Sequence, residues 1–186
     1  MKISVRLKGV AMALLVAGTG TTFAAGVHQH GLAHAAVVVE DTTLSVSFRA
    51  PLMDVLGTEQ PPGDAASRAR YRDRLQRLSA PLPAPAAQCR LSAQTRTTVD
   101  TLFPASASHH DHEHGHEHGD EHNHEHGHQD VEAEWVFQCD TPSELTSVTL
   151  PFLDTFSGLT TEVVTLLPAG QGAIRLAPGD TRIPLE

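Results

Sequence analysis

The sequence predicts an α+β domain, mainly antiparallel β and sandwich-like, with one helix and a long disordered histidine-rich loop. Three observations carry that expectation. Short runs alternate apolar and polar residues with the period of a half-buried strand, and turn residues separate them. A single stretch, from Asp64 to about Leu78, carries a helical stripe. Between His109 and His128 the chain holds ten of its thirteen histidines and six carboxylates, with no apolar side chain. Such a segment buries too little apolar surface to offset the entropy of ordering.

Residues 1–24 read as a secretory signal peptide: Lys2, Arg6 and Lys8 form a basic n-region, and Gly9 to Ala17 a short apolar core. A cut after Ala24 puts the small Thr22 at −3. The apolar run is too short to span a bilayer, and no later run is long enough to do so. Residues 25–186 then form one metal-binding domain, with 105–130 as its disordered insert.

AAVVVE at 35–40, a turn at Asp41-Thr42 and TLSVSFRA at 43–50 predict a hairpin, with Leu44, Val46 and Phe48 facing one way. Pro51 ends the second strand, and Leu52 to Gly57 is a loop or a short turn of helix. Asp64 is the candidate N-cap of the one helix. Tyr71, Leu75 and Leu78 form its narrow apolar stripe, and five arginines crowd the remaining surface, as a solvated face or as a tether for the acidic tract. Pro81, Pro83 and Pro85 mark a linker. Cys89 to Leu102 reads as one or two strands, the β-branched run Thr97 to Val99 included. After the insert, Val131 to Cys139 points Trp135, Phe137 and Cys139 inward. Strands are expected at 147–150, 161–167 and 172–176. Pro178-Gly179 should turn the chain into a final hairpin strand at 182–185. PFLDTFSGL at 151–159 reads as one helical turn that packs Phe152 and Phe156 inward.

Loss of the signal takes the formal charge from −9 to −12 and leaves ten arginines and no lysine. An acidic chain without a basic patch is no nucleic-acid binder, and its field draws divalent cations. Cys89 and Cys139, in an exported chain, are expected to pair around the whole histidine tract.

Imidazole is the commonest side-chain ligand for zinc and the other borderline divalent ions. In the tract, His109 stands beside His110, and His110, His112, His114, His116 and His118 recur at every second residue. His122, His124, His126 and His128 repeat the pattern. Extended, neighbouring rings stand about 6–7 Å apart. Gly115, Gly119 and Gly127 let the chain fold two or three of them around a tetrahedral ion. The tract is therefore expected to hold several ions in exchanging arrangements. Binding should weaken as the pH falls through about 6.5, because only neutral imidazole donates.

A second group, His28, His30 and His34, precedes the first predicted strand; with Glu59 or a water it could make a defined zinc site. A cut after Ala25 would instead leave Gly26-Val27-His28, an amine-and-histidine terminus suited to square-planar Cu²⁺ or Ni²⁺. Ligand type alone does not separate a zinc protein from a nickel or copper buffer for tolerance. An enzyme is not expected: the chain lacks H-E-x-x-H and G-x-S-x-G and is too short for a barrel of about 250 residues.

HQHGLAH leading into AVVVEDTTLSVSFRAPLMDVLG, then a cysteine, a histidine-rich acidic insert and WVFQC, resembles the ZrgA-like family of zinc-regulated periplasmic proteins. The resemblance runs through essentially the whole mature chain. It is most specific at His28-x-His30-Gly31, at Ala50-Pro51-x-x-Asp54-x-x-Gly57 and at the two cysteines. It implies a non-catalytic periplasmic protein of Gram-negative bacteria that captures or buffers Zn²⁺ and assists its uptake. The partners it implies are metal ions and a zinc ABC importer component, without nucleic acid or stable membrane insertion. After Gly57 the expected pattern is Phe-Glu-His, where this chain has Thr58-Glu59-Gln60. That departure shifts ligand weight to His34, Glu59 and the tract.

Overall fold

A computed structural model describes residues 29–104 and 129–185. The proposed signal peptide, His28 and the ten histidines of the tract lie outside the described residues. Strands dominate. A six-stranded sheet has the order β4-β5-β2-β1-β7-β8, and a three-stranded sheet the order β3-β6-β9. Their ranges are β1 Leu32–Glu40, β2 Thr43–Pro51, β3 Leu82–Pro83, β4 Cys89–Arg96, β5 Asp130–Cys139, β6 Ser147–Thr149, β7 Thr160–Leu167, β8 Gly170–Leu176 and β9 Arg182–Pro184. All pairings are antiparallel except β1 with β7. The expected mainly antiparallel α+β architecture is borne out.

The hairpin of β1 and β2 follows its pattern closely. Asp41 turns the chain at φ 52°, in the left-handed region that Asp tolerates better than most residues. Ala33, Ala35, Val37 and Val39 of β1 and Leu44, Val46 and Phe48 of β2 are buried, and the intervening residues face outward. Next to them Val131, Ala133, Trp135 and Phe137 of β5 complete the inner face. Phe152 stacks on Trp135 at 5.7 Å and meets Phe48 edge-on at 4.8 Å. Aromatic contacts of this kind add about 0.5–1.5 kcal/mol each beyond area burial.

Helix α1 (Leu52–Leu56) follows β2 directly and closes on Gly57, a left-handed C-cap at φ 78°. Helix α2 (Ala65–Gln76) begins at Asp64, as expected, in a reciprocal capping box with Ser67. Leu75 of the helix and Leu78, just past its end, are buried. Short 3₁₀ turns occupy Pro85–Ala87, Pro142–Glu144 and Pro151–Asp154. The last of these buries Phe152, and Phe156 follows it into the core.

Four expectations need correction. The first strand starts at Leu32 rather than Ala35, because the parallel partner β7 extends its pairing back to Leu32↔Thr160. The proline linker contains β3, which pairs with β6. The β-branched run after β4 is not strand: Thr98 caps helix α3 (Val99–Leu102) in a box with Thr101, so local hydroxyl bonding overrides propensity. Finally, β9 does not form a hairpin with β8. It crosses to β6 and buries Ile183 in the second sheet.

Cys89 and Cys139 stand opposite each other in β4 and β5 and are disulfide-bonded. The bridge lies at the end of this strand pair far from the insert, which departs after α3 and returns at Gln129.

Candidate metal centre

The histidine end of the six-stranded sheet is built by the turn before β1. Gly31, at φ 76°, reverses the chain between His30 and Leu32, a conformation glycine adopts without penalty. The turn is fixed from both sides: Thr160 N–H donates to the Gly31 carbonyl at 2.8 Å, and Gly31 N–H donates to Asp54 Oδ2 at 2.8 Å. Asp54 sits in the single turn of α1. The other oxygen of its carboxylate lies 4.0 Å from His30 Nδ1.

His34 belongs to a different environment. As an outward residue of β1 it faces Glu162 of β7, with His34 Nδ1 3.8 Å from Glu162 Oε2. Arg175 on β8 holds the second oxygen of Glu162 at 3.6 Å. The strand registers extend this row: Glu132 of β5 lies opposite Arg49 of β2, and Arg49 opposite His34. Acid, arginine, histidine, acid and arginine thus alternate across five strands on the exposed face. Asp130, two residues before Glu132, also pairs with Arg49.

Exposed ion pairs contribute about 0–1 kcal/mol to stability, so folding draws little from this row. Its imidazole and carboxylates carry metal-donor atoms, and Arg49 and Arg175 compete with a cation for the acids. In a tetrahedral zinc site with bonds of about 2.0–2.1 Å, two ligand atoms stand about 3.3 Å apart. The His34–Glu162 separation, 3.8 Å, exceeds that by about 0.5 Å, so this pair offers two donors of a four-donor shell. Asp54, less exposed than His30, stands behind that ring.

His30 and His34 therefore go to different carboxylates. Glu59, half-buried in the loop after Gly57, is five residues on from Asp54. Among the described residues, no three His, Cys, Asp or Glu side chains gather closely enough to hold an ion. Asp54, Glu162 and Glu132 were not among the candidate ligands read from the sequence. The Asp54-x-x-Gly57 motif was visible, but its link to His30 depends on the turn at Gly31. Glu162 reaches His34 through a parallel pairing across 128 residues, for which no local signal exists.

Both stems of the insert come to this same end. Gln129 accepts a hydrogen bond from Leu52 N–H at 2.8 Å, two residues from Asp54. On the outgoing side, Thr101 of α3 lines the same open hollow, about 590 Å³, as His34, Arg49, Glu132 and Glu134. The described residues on both sides of 105–128 thus lie at the end of the sheet that carries His30 and His34.

No described helix is long and apolar enough to cross a membrane. No curated protein matches the chain. A family model described as ZrgA family zinc uptake protein matches residues 27–185.

Proposed function

The chain belongs to the ZrgA family of zinc uptake proteins, and from that premise we propose that it is a non-catalytic periplasmic protein that captures Zn²⁺ and yields it to an importer. The tract, His109 to His128, supplies capacity. Its rings exchange ions among many equivalent arrangements, and a coordination shell that reorganises readily also releases readily. His30, His34 and Glu59 supply a second, smaller set of donors on a folded support, and His28, outside the described residues, joins them by its spacing from His30.

The observation that carries this reading is the convergence at one end of the sheet. His30, backed by Asp54, and His34, beside Glu162, each present an incomplete donor set, and the described residue Gln129 that follows the insert lies at the same end. Tract imidazoles that bring an ion to such a site complete the shell by ligand exchange, so zinc passes along the protein without becoming fully aquated. Zinc is the cargo here, bound and passed on without a chemical step.

Equilibrium dialysis of the mature protein, with zinc measured in the bound and unbound fractions, tests the division of labour. More than one Zn²⁺ per chain is expected, with most of the capacity lost on deletion of residues 109–128. Undiminished capacity in the deletion variant would move the function to the N-terminal histidines. Growth of a strain lacking the protein should suffer when zinc is scarce; a defect confined to metal excess would instead indicate tolerance.

A further inference from the structure

We propose that Asp54 is the positioning residue that presents His30 to zinc: its carboxylate takes the Nδ1–H of the ring and leaves Nε2 as the donor atom. This rests on the reading that His30 is a zinc ligand, and it assigns the two oxygens of Asp54 different tasks. Oδ2 is committed to Gly31 N–H at 2.8 Å, which fixes the carboxylate relative to the turn that carries His30. Oδ1 is directed at His30 Nδ1, 4.0 Å away.

The support beneath Asp54 is anchored. Its helix is tied at its start by Leu52 N–H to the Gln129 carbonyl and is closed at its end by the C-cap bond from Gly57 N–H to the Met53 carbonyl. Arg74 of α2 donates from Nε to the Val55 carbonyl at 2.8 Å. The Asp54 side chain is 18 % exposed, against 55 % for His30. The carboxylate thus sits behind the ring, and the ring faces solvent, the arrangement of an orienting group and its ligand. At 4.0 Å the contact is a charge interaction rather than a hydrogen bond. A zinc ion on Nε2 makes Nδ1–H a stronger donor, so loading draws the ring about 1 Å toward Oδ1. Glu162 contrasts with this: it is 47 % exposed and shared with Arg175, so it holds His34 loosely.

The test uses the full mature chain labelled with ¹⁵N-histidine, observed by NMR at about pH 8, where imidazole is neutral. The wild-type His30 ring is expected mainly as the Nδ1–H tautomer. In Asp54→Asn the amide oxygen still accepts from Gly31, and the NH₂ turned toward His30 donates where the carboxylate accepted. The tautomer should therefore invert to Nε2–H. The zinc concentration at which the His30 signals move should rise about 10- to 100-fold, the usual cost of losing an outer-shell partner. Glu162→Gln should change neither quantity. An unchanged Gly31 amide signal shows that the turn survives the substitution.

An Nε2–H majority in the wild-type ring, which needs no variant, overturns the positioning role alone. So does an Asp54→Asn protein with unaltered tautomer and midpoint. A wild-type His30 ring indifferent to zinc, with the expected tautomer, overturns instead the ligand reading from which the inference starts.

Discussion

The two ends of the six-stranded sheet are built to opposite purposes. At one end Cys89 and Cys139 are bonded across β4 and β5, Cys139 is buried, and its N–H donates to the Thr42 carbonyl at 2.8 Å. Arg90 forks onto Asp140 beside them. At the other end stand exposed imidazoles, each paired with a carboxylate at about 4 Å, and both stems of the insert. One strand pair, β4 with β5, therefore joins a covalent clamp to the edge proposed above to face metal. The clamp needs no ligand chemistry, and the exposed ion pairs at the other end contribute little to folding. On the proposed reading, stability and function are separated along the strands.

The largest test of that separation is to remove the clamp. Cys89→Ala with Cys139→Ala opens a loop closed across a sequence separation of 50, which on the chain-entropy model costs about 4 kcal/mol of stability. Denaturant midpoints should fall accordingly, whereas zinc capacity at a temperature where the fold persists should equal that of the parent. A loss of capacity in the folded variant would mean that the two ends are coupled.

A smaller effect, with the opposite distribution, is expected from Gly31→Ala. The nearest atom to the added methyl would be the Gly158 carbonyl oxygen at 3.9 Å, an ordinary contact, so space is not the difficulty. The φ of 76° is, at about 1–2 kcal/mol for an L-residue in the left-handed region. The turn can bear that strain or relax it by moving His30 away from Asp54. The His30 ring should then require more zinc, and the cystine end should keep its hydrogen-exchange protection. Loss of protection at Cys139 N–H would contradict the separation.

How legible this was in the sequence follows the range of the interactions. The β1–β2 hairpin, the capped helix at Asp64 and the inward set Trp135, Phe137 and Cys139 are local patterns, and each was readable. A role in zinc uptake was readable too, through the motifs that resemble the family rather than through ligand type, which does not separate zinc from nickel or copper. Thr97 to Val99 misled, since β-branched residues favour strand until a hydroxyl finds a helix N-terminus to cap. The pairing of β9 with β6, and of His34 with Glu162, is set by which distant strands share a sheet. A glycine between His30 and Leu32 announced a turn without announcing that its amide would meet Asp54.

The smallest effect sharpens the comparison from the side of the helices. Helix α2 packs on α1, whose Asp54 faces His30, and its N-terminus is held by Asp64 and Ser67. The Asp64 carboxyl titrates below its ordinary 3.8, first because Ser67 donates to it from its side chain and backbone. A carboxylate with a lowered folded-state pKa stabilises above its unfolded value, and that stabilisation is lost as the pH falls through the folded value. Asp64→Ala in metal-free protein should thus lower Tm modestly near neutrality, and the deficit should shrink as the pH drops below 3.8. Asp64→Asn caps without a charge, so it should keep most of the stability with no such pH dependence. A deficit for alanine that persisted unchanged into strong acid would show that the carboxylate is not the capping group. Helix α2 would then be held by its packing against α1 and by the Arg68–Asp100 pair to α3, and the support of the histidine edge would be tertiary rather than local.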